Sequence, residues 1–269
     1  MRILFLGGGN MATALIGGLL QRGVEPGAIR VIDVSESARE ALQRQFGVSA
    51  ASALEGEILE DIVLLAVKPQ QVRDVAKGVR AHLRGQLVIS IAAGVRTTDL
   101  ARWLGGHERI VRAMPNTPAL IRSGICGLFA PAAVIQADRD RAQSLLDAVG
   151  GVVWVNREQD IDAVTAVSGS GPAYVYYFIE ALEQAGVELG LTATQAHELA
   201  VHTFVGAARL AAASPDPAQV LRARVTSKAG TTEAALKVMD AHAVKSKIVE
   251  AVQAAARRSR ELGDDFGKD

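Results

Sequence analysis

A run of small residues near the start of the chain, Gly7–Ala12, has the spacing G-x-G-x-x-A. In that pattern the first glycine permits a tight turn, the second lets the backbone approach a pyrophosphate, and the last small residue lets a helix pack on a strand. N–H groups at the start of the helix then face the phosphates. The run therefore predicts a bound dinucleotide, and the alternative is a glycine turn that holds no ligand.

An aspartate stands where such sites place the acid that binds the adenosine ribose. Asp33 lies about 20 positions beyond Ala12, the spacing expected of that acid. A carboxylate there repels a 2′-phosphate and favours NADH over NADPH. Ser35 and Arg39 could still accept the phosphate if Asp33 turned aside. Both cofactors therefore stay open, as does the interpretation of Asp33 as an ordinary turn residue.

The loops after later strands are expected to line the same cleft, because ligands bind at the carboxyl ends of parallel strands. Lys68 could lie near a phosphate or ribose there, or be a solvated lysine. The residues predicted to bind the cofactor are Leu6, Gly7, Gly8, Gly9, Asn10, Met11, Ala12, Asp33, Ser35, Ala66, Val67, Lys68, Pro69, Ala92, Ala93, Gly94, Met114, Pro115 and Asn116.

A second site is predicted far along the chain, where the small polar loop 227–230 leads into a helix at Thr231. Unpaired N–H groups and the helix dipole would attract an anion there, by about 0.3–1 kcal/mol for one charge. The carboxylate of a small substrate fits. The alternative is an ordinary helix start, in which Thr231 or Thr232 bonds its own backbone.

Strands and helices alternate in the half of the chain that must position the first site. Short apolar runs predict strands at Ile3–Leu6, Arg30–Asp33, Ile62–Val67, Leu87–Ala92 and Arg109–Ala113. Such runs suit parallel strands covered on both faces, and right-handed crossovers join them into a doubly wound sheet. The predicted fold class is α/β, with an N-terminal Rossmann domain whose sheet is mostly parallel.

After about Arg157 the sequence holds no further strand run, and its pattern becomes helical. Helices are predicted to begin at Ser170-Gly171-Pro172, at a capping box formed by Thr192 and Gln195, near Thr231 and near His242. The second half is therefore predicted to be all-α. The predicted domains are residues 1–160 and 161–269.

Composition excludes several classes of protein. The 29 basic and 29 acidic residues give zero net charge, which argues against a nucleic-acid partner, and no apolar run approaches the ~18 residues of a membrane span. The single cysteine, Cys126, excludes an internal disulfide and favours a reducing compartment, the cytoplasm. Cys126 is expected to be a small strand residue rather than a nucleophile. The five histidines lack ligand spacing, so no metal is expected.

Five segments, in order, resemble the Δ1-pyrroline-5-carboxylate reductase family: residues 7–12, 66–69, 114–118, 168–174 and 217–240. The resemblance covers essentially the whole chain. It implies reduction of (S)-1-pyrroline-5-carboxylate to L-proline by hydride transfer from NADPH or NADH, the last step of proline biosynthesis. It also implies that the helical domain forms a homodimer, and that dimers assemble further, commonly into decamers.

The resemblance implies roles for particular residues as well. Thr232 is the candidate catalytic residue, with its hydroxyl close to the ring nitrogen. Glu158 matches an acidic position near bound product, although it could equally be a solvated loop residue. Family members often have glycine where this chain has Ala229; we expect that the position needs no positive φ, which would strain an alanine. The residues implied to bind substrate are Ser227, Gly230, Thr231, Thr232 and Glu158.

The implied reaction asks little of acid–base residues, because a cyclic imine accepts hydride readily and positioning can supply much of the rate. The proton on nitrogen could come from the substrate, Thr232 or water. We expect the substrate site where the helical domain meets the nicotinamide, and in a dimer the two parts could come from different chains. Two alternatives stay open: a same-fold enzyme for another cyclic imine or a hydroxy acid, with Lys228 as base, and a non-catalytic dinucleotide sensor.

Overall fold

The computed structural model describes residues 1–268. It contains two compact units. The first comprises residues 1–170 together with the chain from residue 255 onward, and the second comprises residues 171–254. The predicted boundary between residues 160 and 161 remains a prediction, but the last helix contributes to both units, which a single boundary does not describe.

The first unit alternates strands and helices, as the apolar runs predict. Its strands are β1 (Ile3–Leu6), β2 (Ile29–Ile32), β3 (Ser49–Ala51), β4 (Ile62–Leu65), β5 (Leu87–Ser90), β6 (Ile110–Met114), β7 (Gly124–Phe129) and β8 (Gly150–Trp154). Its helices include α1 (Asn10–Gln21), α2 (Glu36–Phe46), α3 (Pro69–Val79), α4 (Thr97–Trp103), α5 (Gln136–Leu146), α6 (Asp160–Val164) and a π-helix, Thr165–Gly169.

These strands form one sheet in the order β3-β2-β1-β4-β5-β6-β7-β8. The strand pairs are parallel except for β6 with β7. The chain leaves β1 toward β2 and later returns to the other side of β1 at β4. That reversal is the switch point at which doubly wound sheets bind ligands. The predicted Rossmann architecture is confirmed.

Alternate residues of the strands enter two apolar clusters. Ile3 and Phe5 of β1 belong to one cluster, and Leu4 and Leu6 belong to the other. None of these four side chains is more than 4% exposed. The continuous apolar run of β1 is therefore explained by burial on both faces of the sheet.

Three strands, β3, β7 and β8, lie outside the apolar runs, although Cys126 is a strand residue in β7 as expected. Glycine interrupts the pattern where the backbone approaches its neighbours closely. A Cβ at Gly127 in β7 would lie 2.5 Å from a methyl group of Val164. A Cβ at Gly150 in β8 would overlap the backbone of Gly124. Close packing thus requires glycine at these two positions, and the apolar run by which a strand is recognised in a sequence is interrupted there.

The second unit is helical, as predicted. Its helices are α7 (Gly171–Glu188), α8 (Ala193–Ala213), α9 (Ala218–Arg224), α10 (Thr231–Ala241) and the first part of α11 (Val244–Gly267). The capping box of Thr192 and Gln195 at the start of α8 is confirmed. Within residues 1–268, none of the helices is both long and apolar enough to cross a membrane.

Candidate functional site

The turn after β1 passes directly over the end of β4. Gly7 has a φ of 106°, which residues with a side chain rarely adopt, and a Cβ there would lie 2.6 Å from the carbonyl oxygen of Ala66. The Gly7 N–H donates to the carbonyl of Ile32 at the end of β2 (2.8 Å). The ends of β1, β2 and β4 therefore meet at this turn, which has room for glycine only.

Helix α1 begins with its first N–H groups open. Its N-cap, Gly9, has extended backbone (φ −73°, ψ −174°) and no side chain with which to bond them. Apart from Gly9 itself and its two chain neighbours, no described atom lies within 4 Å of the place that a Cβ would take on Gly9. Ala12 is 1% exposed and packs in the core, as the motif requires. A helix N-terminus with free space before it suits a pyrophosphate.

A cleft of about 240 Å³ lies beside the glycine turn. It is lined by the ends of β1 and β2, the residues that follow β2 and β4, and one face of α3. The lining residues are Leu6, Gly7, Ile32, Asp33, Val34, Val67, Gln71 and Val75. The cleft therefore occupies the switch point between β1 and β4, and four predicted cofactor residues (Leu6, Gly7, Asp33 and Val67) line it.

Four lining residues were not predicted, namely Ile32, Val34, Gln71 and Val75, and most of the predicted cofactor residues, Lys68 among them, lie outside the lining. Gln71 and Val75 follow Val67 at intervals of four, which places them on one face of α3; that spacing is the signal that could have identified them. Lys68 is the N-cap of α3 and is exposed, and it does not line the cleft.

Asp33 accepts backbone N–H groups from two segments of the chain beside the cleft. Its Oδ2 accepts the Gly8 N–H (2.6 Å) and its Oδ1 accepts the Ser35 N–H (2.7 Å). Arg39 donates to the carbonyls of Asp33 (2.8 Å) and Val34 (3.0 Å). Asp33 is therefore more than an ordinary turn residue, because its carboxylate joins the glycine turn to the start of α2.

The loop after β6 holds the π-helical turn in place. Asn116, 9% exposed, donates from Nδ2 to the Ser168 carbonyl (3.1 Å) and accepts at Oδ1 from the Ile125 N–H (2.9 Å). The Ser168 carbonyl cannot receive an α-helical bond from Pro172, because proline lacks an N–H. Asn116 therefore joins the π-helical turn to β7. Its predicted contact with a nicotinamide is a separate matter and remains a prediction.

In the second unit, the loop before α10 leaves the first N–H groups of that helix open. Gly230 is the N-cap, with extended backbone (φ −85°, ψ 173°) and no side chain to bond the first turn. Thr231 and Thr232 lie inside the helix, so the alternative in which one of them caps it is wrong. Open amides at the start of an 11-residue helix are what an anion site requires.

Ala229 has a φ of 59°, so the expectation that this position needs no positive φ is wrong. The conformation turns the Ala229 N–H toward the carboxylate of Glu233, which accepts it at 2.7 Å. Glu233 also pairs with Lys237 (3.4 Å), which offsets its negative charge beside the open amides. The loop is thus held in a left-handed turn that costs a non-glycine residue about 1–2 kcal/mol.

Glu158 is bound by three donors of the first unit. Its Oε1 accepts from the Thr97 N–H (2.7 Å) and from Arg112 (3.2 Å), and its Oε2 accepts from the Thr97 hydroxyl (2.7 Å). Arg112 is 3% exposed, so the carboxylate neutralises a buried cation and bonds the first N–H of α4. Glu158 is therefore not a solvated loop residue; its contact with substrate remains a prediction.

Cys126 is buried in β7, and burial raises the pKa of its thiol well above the usual range. A thiol held protonated is a poor nucleophile, which confirms Cys126 as a structural strand residue. Across residues 1–268, no group of three or more His, Cys, Asp or Glu side chains is placed to hold a metal ion.

Two family models match the chain. The model described as "Pyrroline-5-carboxylate reductase dimerisation" matches residues 158–262, and the one described as "NADP oxidoreductase coenzyme F420-dependent" matches residues 2–94. A pyrroline-5-carboxylate reductase of Pseudomonas aeruginosa is 43% identical over an alignment of 269 residues. The alignment covers 99% of this chain and 98% of that protein.

Solved structures give the same result. A pyrroline-5-carboxylate reductase from Coxiella burnetii matches with a TM-score of 0.92 and 41% identity, over 97% of this chain and 98% of that one. The pyrroline carboxylate reductase of Plasmodium falciparum, solved with NADP bound, matches with a TM-score of 0.86 and 28% identity over 98% of each chain. Similarity of this extent covers both the glycine turn of β1 and the open start of α10, and the chain therefore belongs to the pyrroline-5-carboxylate reductase family.

Proposed function

We propose that this protein reduces (S)-1-pyrroline-5-carboxylate to L-proline with hydride from NADPH or NADH, the last step of proline biosynthesis. The observation that carries the proposal is the open N-terminus of α10, which offers an anion site to the carboxylate of a small substrate. A dinucleotide site at the switch point of the sheet accompanies it. Relatives named for this activity match nearly the whole chain.

The residues of the first unit fit a dinucleotide. The amides at the start of α1 would hold the pyrophosphate, Asp33 would lie near the adenosine ribose, and the loops at Ala92–Gly94 and Met114–Asn116 would flank the nicotinamide. When bound, the reduced cofactor supplies the hydride. The open space before Gly9 is the feature of this chain that admits the pyrophosphate.

The first turn of α10 would hold and orient the imine. Ser227 and the backbone of Gly230 and Thr231 bind the carboxylate, and the Thr232 hydroxyl faces the ring nitrogen. The nitrogen's proton comes from the substrate, from Thr232 or from water. Catalysis then rests on positioning, which in well-oriented systems corresponds to effective molarities of about 10⁵–10⁸ M.

The cofactor preference depends on Asp33. Its negative charge alone favours NADH, but both of its carboxylate oxygens already accept backbone N–H groups. The relative solved with NADP bound and the NADP oxidoreductase model support NADPH. We therefore propose that the protein uses NADPH, with NADH as the comparison to make.

The second unit would form the homodimer, from which decamers can assemble. The match to a dimerisation model supports this, as does its surface: Tyr177, Leu210 and Val238 are 72%, 60% and 60% exposed. Large apolar side chains in such number on one unit mark an interaction surface. The single cysteine fits a reducing cytoplasm.

The proposal is tested by assaying the purified protein for oxidation of NADPH and of NADH with pyrroline-5-carboxylate, with piperideine-6-carboxylate as the comparison imine. We expect Thr232→Ala to lower kcat/KM for pyrroline-5-carboxylate by about tenfold or more, since about 1.4 kcal/mol of lost transition-state binding is tenfold in rate. Dinucleotide affinity should stay nearly unchanged.

The matched control is Thr203→Ala, which removes a threonine hydroxyl bonded to the Leu199 carbonyl in α8 of the same unit and should leave kcat/KM unchanged. If the wild-type protein turns over neither imine, the proposed activity is wrong. If Thr232→Ala behaves like the control, the role of Thr232 alone is wrong.

A further inference from the structure

The last turns of α11 lie on the loop that follows β5. Gly94 in that loop has a φ of 77°, and a Cβ there would lie 3.2 Å from the ring of Phe266 and 3.3 Å from Leu262. Conversely, a Cβ on Gly263 of the helix would lie 3.2 Å from the Gly94 carbonyl oxygen. Loop and helix therefore touch through two glycines that face each other, and a methyl group on either one would require its neighbours to shift by a few tenths of an ångström.

Polar contacts fix the same segment of helix, residues 259–267, which we name the C-terminal strap. Arg96, two residues beyond Gly94, pairs with Asp264 (2.6 Å). Ser259 donates to Asp162 (2.7 Å), and both side chains are buried, at 4% and 8% exposed. A buried hydrogen bond thus joins one end of the strap to α6, and an exposed ion pair joins it to the residue before α4.

The strap also supports the elements on either side of the loop. Phe266 packs against the apolar cluster that contains Ala92 and Val95. Arg102 of α4 donates to the Gly267 carbonyl (2.8 Å). Residues of the strap, far away in sequence, therefore contact the backbone or side chains of the segment from the end of β5 to α4.

We propose that the C-terminal strap is a positioning element for the dinucleotide, because it holds the loop Ala92–Gly94 in the conformation that the cofactor meets. The inference rests on the proposed function, in which this loop flanks the nicotinamide. The strap touches the backbone of the loop rather than the reacting atoms. A disturbed strap therefore weakens dinucleotide binding while the imine site in α10 keeps its own residues.

The sharpest test is Gly263→Ala in the full-length protein. Alanine favours a helix interior over glycine, and this offsets the cost of displacing the Arg96 guanidinium and the Gly94 carbonyl, which lie 3.1 and 3.2 Å from the new methyl group. We expect the KM and Kd for NADPH to rise by about three- to tenfold, a change of about 0.65–1.4 kcal/mol. The KM for pyrroline-5-carboxylate and the urea midpoint should change little.

A second pair of variants separates positioning from packing. Phe266→Ala removes the ring that lies on Gly94 and should raise the KM for NADPH, whereas Phe266→Leu should restore most of the affinity. Amide hydrogen exchange of residues 92–98 should accelerate in Phe266→Ala, while that of residues 7–12 stays unchanged. The matched control is Glu261→Ala, an exposed residue of the same helix segment whose carboxylate pairs with Arg258 of the same helix (2.9 Å).

The outcomes distinguish the two proposals. A wild-type protein that binds no dinucleotide overturns the proposed function and this inference with it. Normal wild-type binding together with a Gly263→Ala variant that matches Glu261→Ala in KM and Kd for NADPH overturns the inference alone. Equal increases in the KM for NADPH and the KM for pyrroline-5-carboxylate would also overturn it, because they would indicate general disruption of the protein rather than positioning of the loop.

Discussion

Ala229 occupies left-handed backbone in the loop that precedes α10, and this strain can be relieved. Ala229→Gly should remove about 1–2 kcal/mol of strain, offset by about 0.4–1 kcal/mol for the greater freedom of glycine in the unfolded chain. We predict a net gain of about 0.5–1 kcal/mol, measured by urea unfolding at a fixed protein concentration.

The control for this prediction is Ala208→Gly at an exposed position inside α8, where the same exchange in regular helix should cost about 1 kcal/mol. The two variants should therefore move the unfolding midpoint in opposite directions. A loss of stability in Ala229→Gly equal to that of the control would mean that the left-handed turn is not strained.

At the scale of single residues, residue type and spacing predict which residues form the glycine turn, but they do not predict which hydrogen bonds the side chains make. The glycine spacing places Gly7 and Gly9 correctly, because their roles depend on local backbone. The contacts of Asp33 with the Gly8 N–H and of Glu158 with Arg112 depend on residues 25 and 46 positions away, which no local pattern contains.

Among the elements, the π-helix Thr165–Gly169 depends on a side chain from another part of the sheet. Asn116→Ala should leave the Ser168 carbonyl and the Ile125 N–H without their partner. Because a fully buried polar group left unpaired costs about 1–3 kcal/mol and these two bonds are part-buried, we predict a loss of about 1–2 kcal/mol in the free energy of unfolding. Urea unfolding measures it.

Asn116→Asp sharpens the same prediction. It keeps an acceptor for Ile125 but turns a carboxylate toward the Ser168 carbonyl, so it should be at least as damaging as alanine. Asn156→Asp, at an exposed position after β8, should change stability by less than about 0.5 kcal/mol. If both aspartates are equally mild, Asn116 does not hold the π-helix.

Elements were predictable where one physical pattern dominates. The strands β1, β4 and β5 carry continuous apolar runs because both of their faces are buried, whereas β2 and β6 each contain one arginine within a mostly apolar run. Helix α8 begins at a capping box that two residues make recognisable. The strands β7 and β8 contain glycines at positions where a side chain would clash with α6 or with the neighbouring strand. Such contacts exist only once the fold is formed, so the sequence pattern does not reveal them.

On the scale of the whole molecule, we predict that activity depends on association. The helical unit exposes large apolar side chains on α7, α8 and α10, and a matching second copy would cover them. Dilution to monomer should abolish activity per chain, in parallel with the dissociation seen by sedimentation. A carrier protein in the diluted samples controls for loss on surfaces, and a fully active monomer would refute the prediction.

The molecule's division into an α/β half and a helical half follows from the change of pattern near residue 157, since strand runs cease there. The return of α11 to the first unit did not follow from the sequence. It is one continuous helix from Val244 to Gly267, with no break at residue 255, where its partners change.

That return also sets the order in which the chain can fold during synthesis. Domains generally fold as they emerge, the N-terminal one first, yet here residues 259–267 leave the ribosome only after the entire helical unit. Until then Gly94 and its loop lack the helix that packs on them, and Asp162 lacks Ser259. The unit that is translated first is therefore completed last. Until residues 259–267 are synthesised, the loop after β5 stays exposed in the nascent chain.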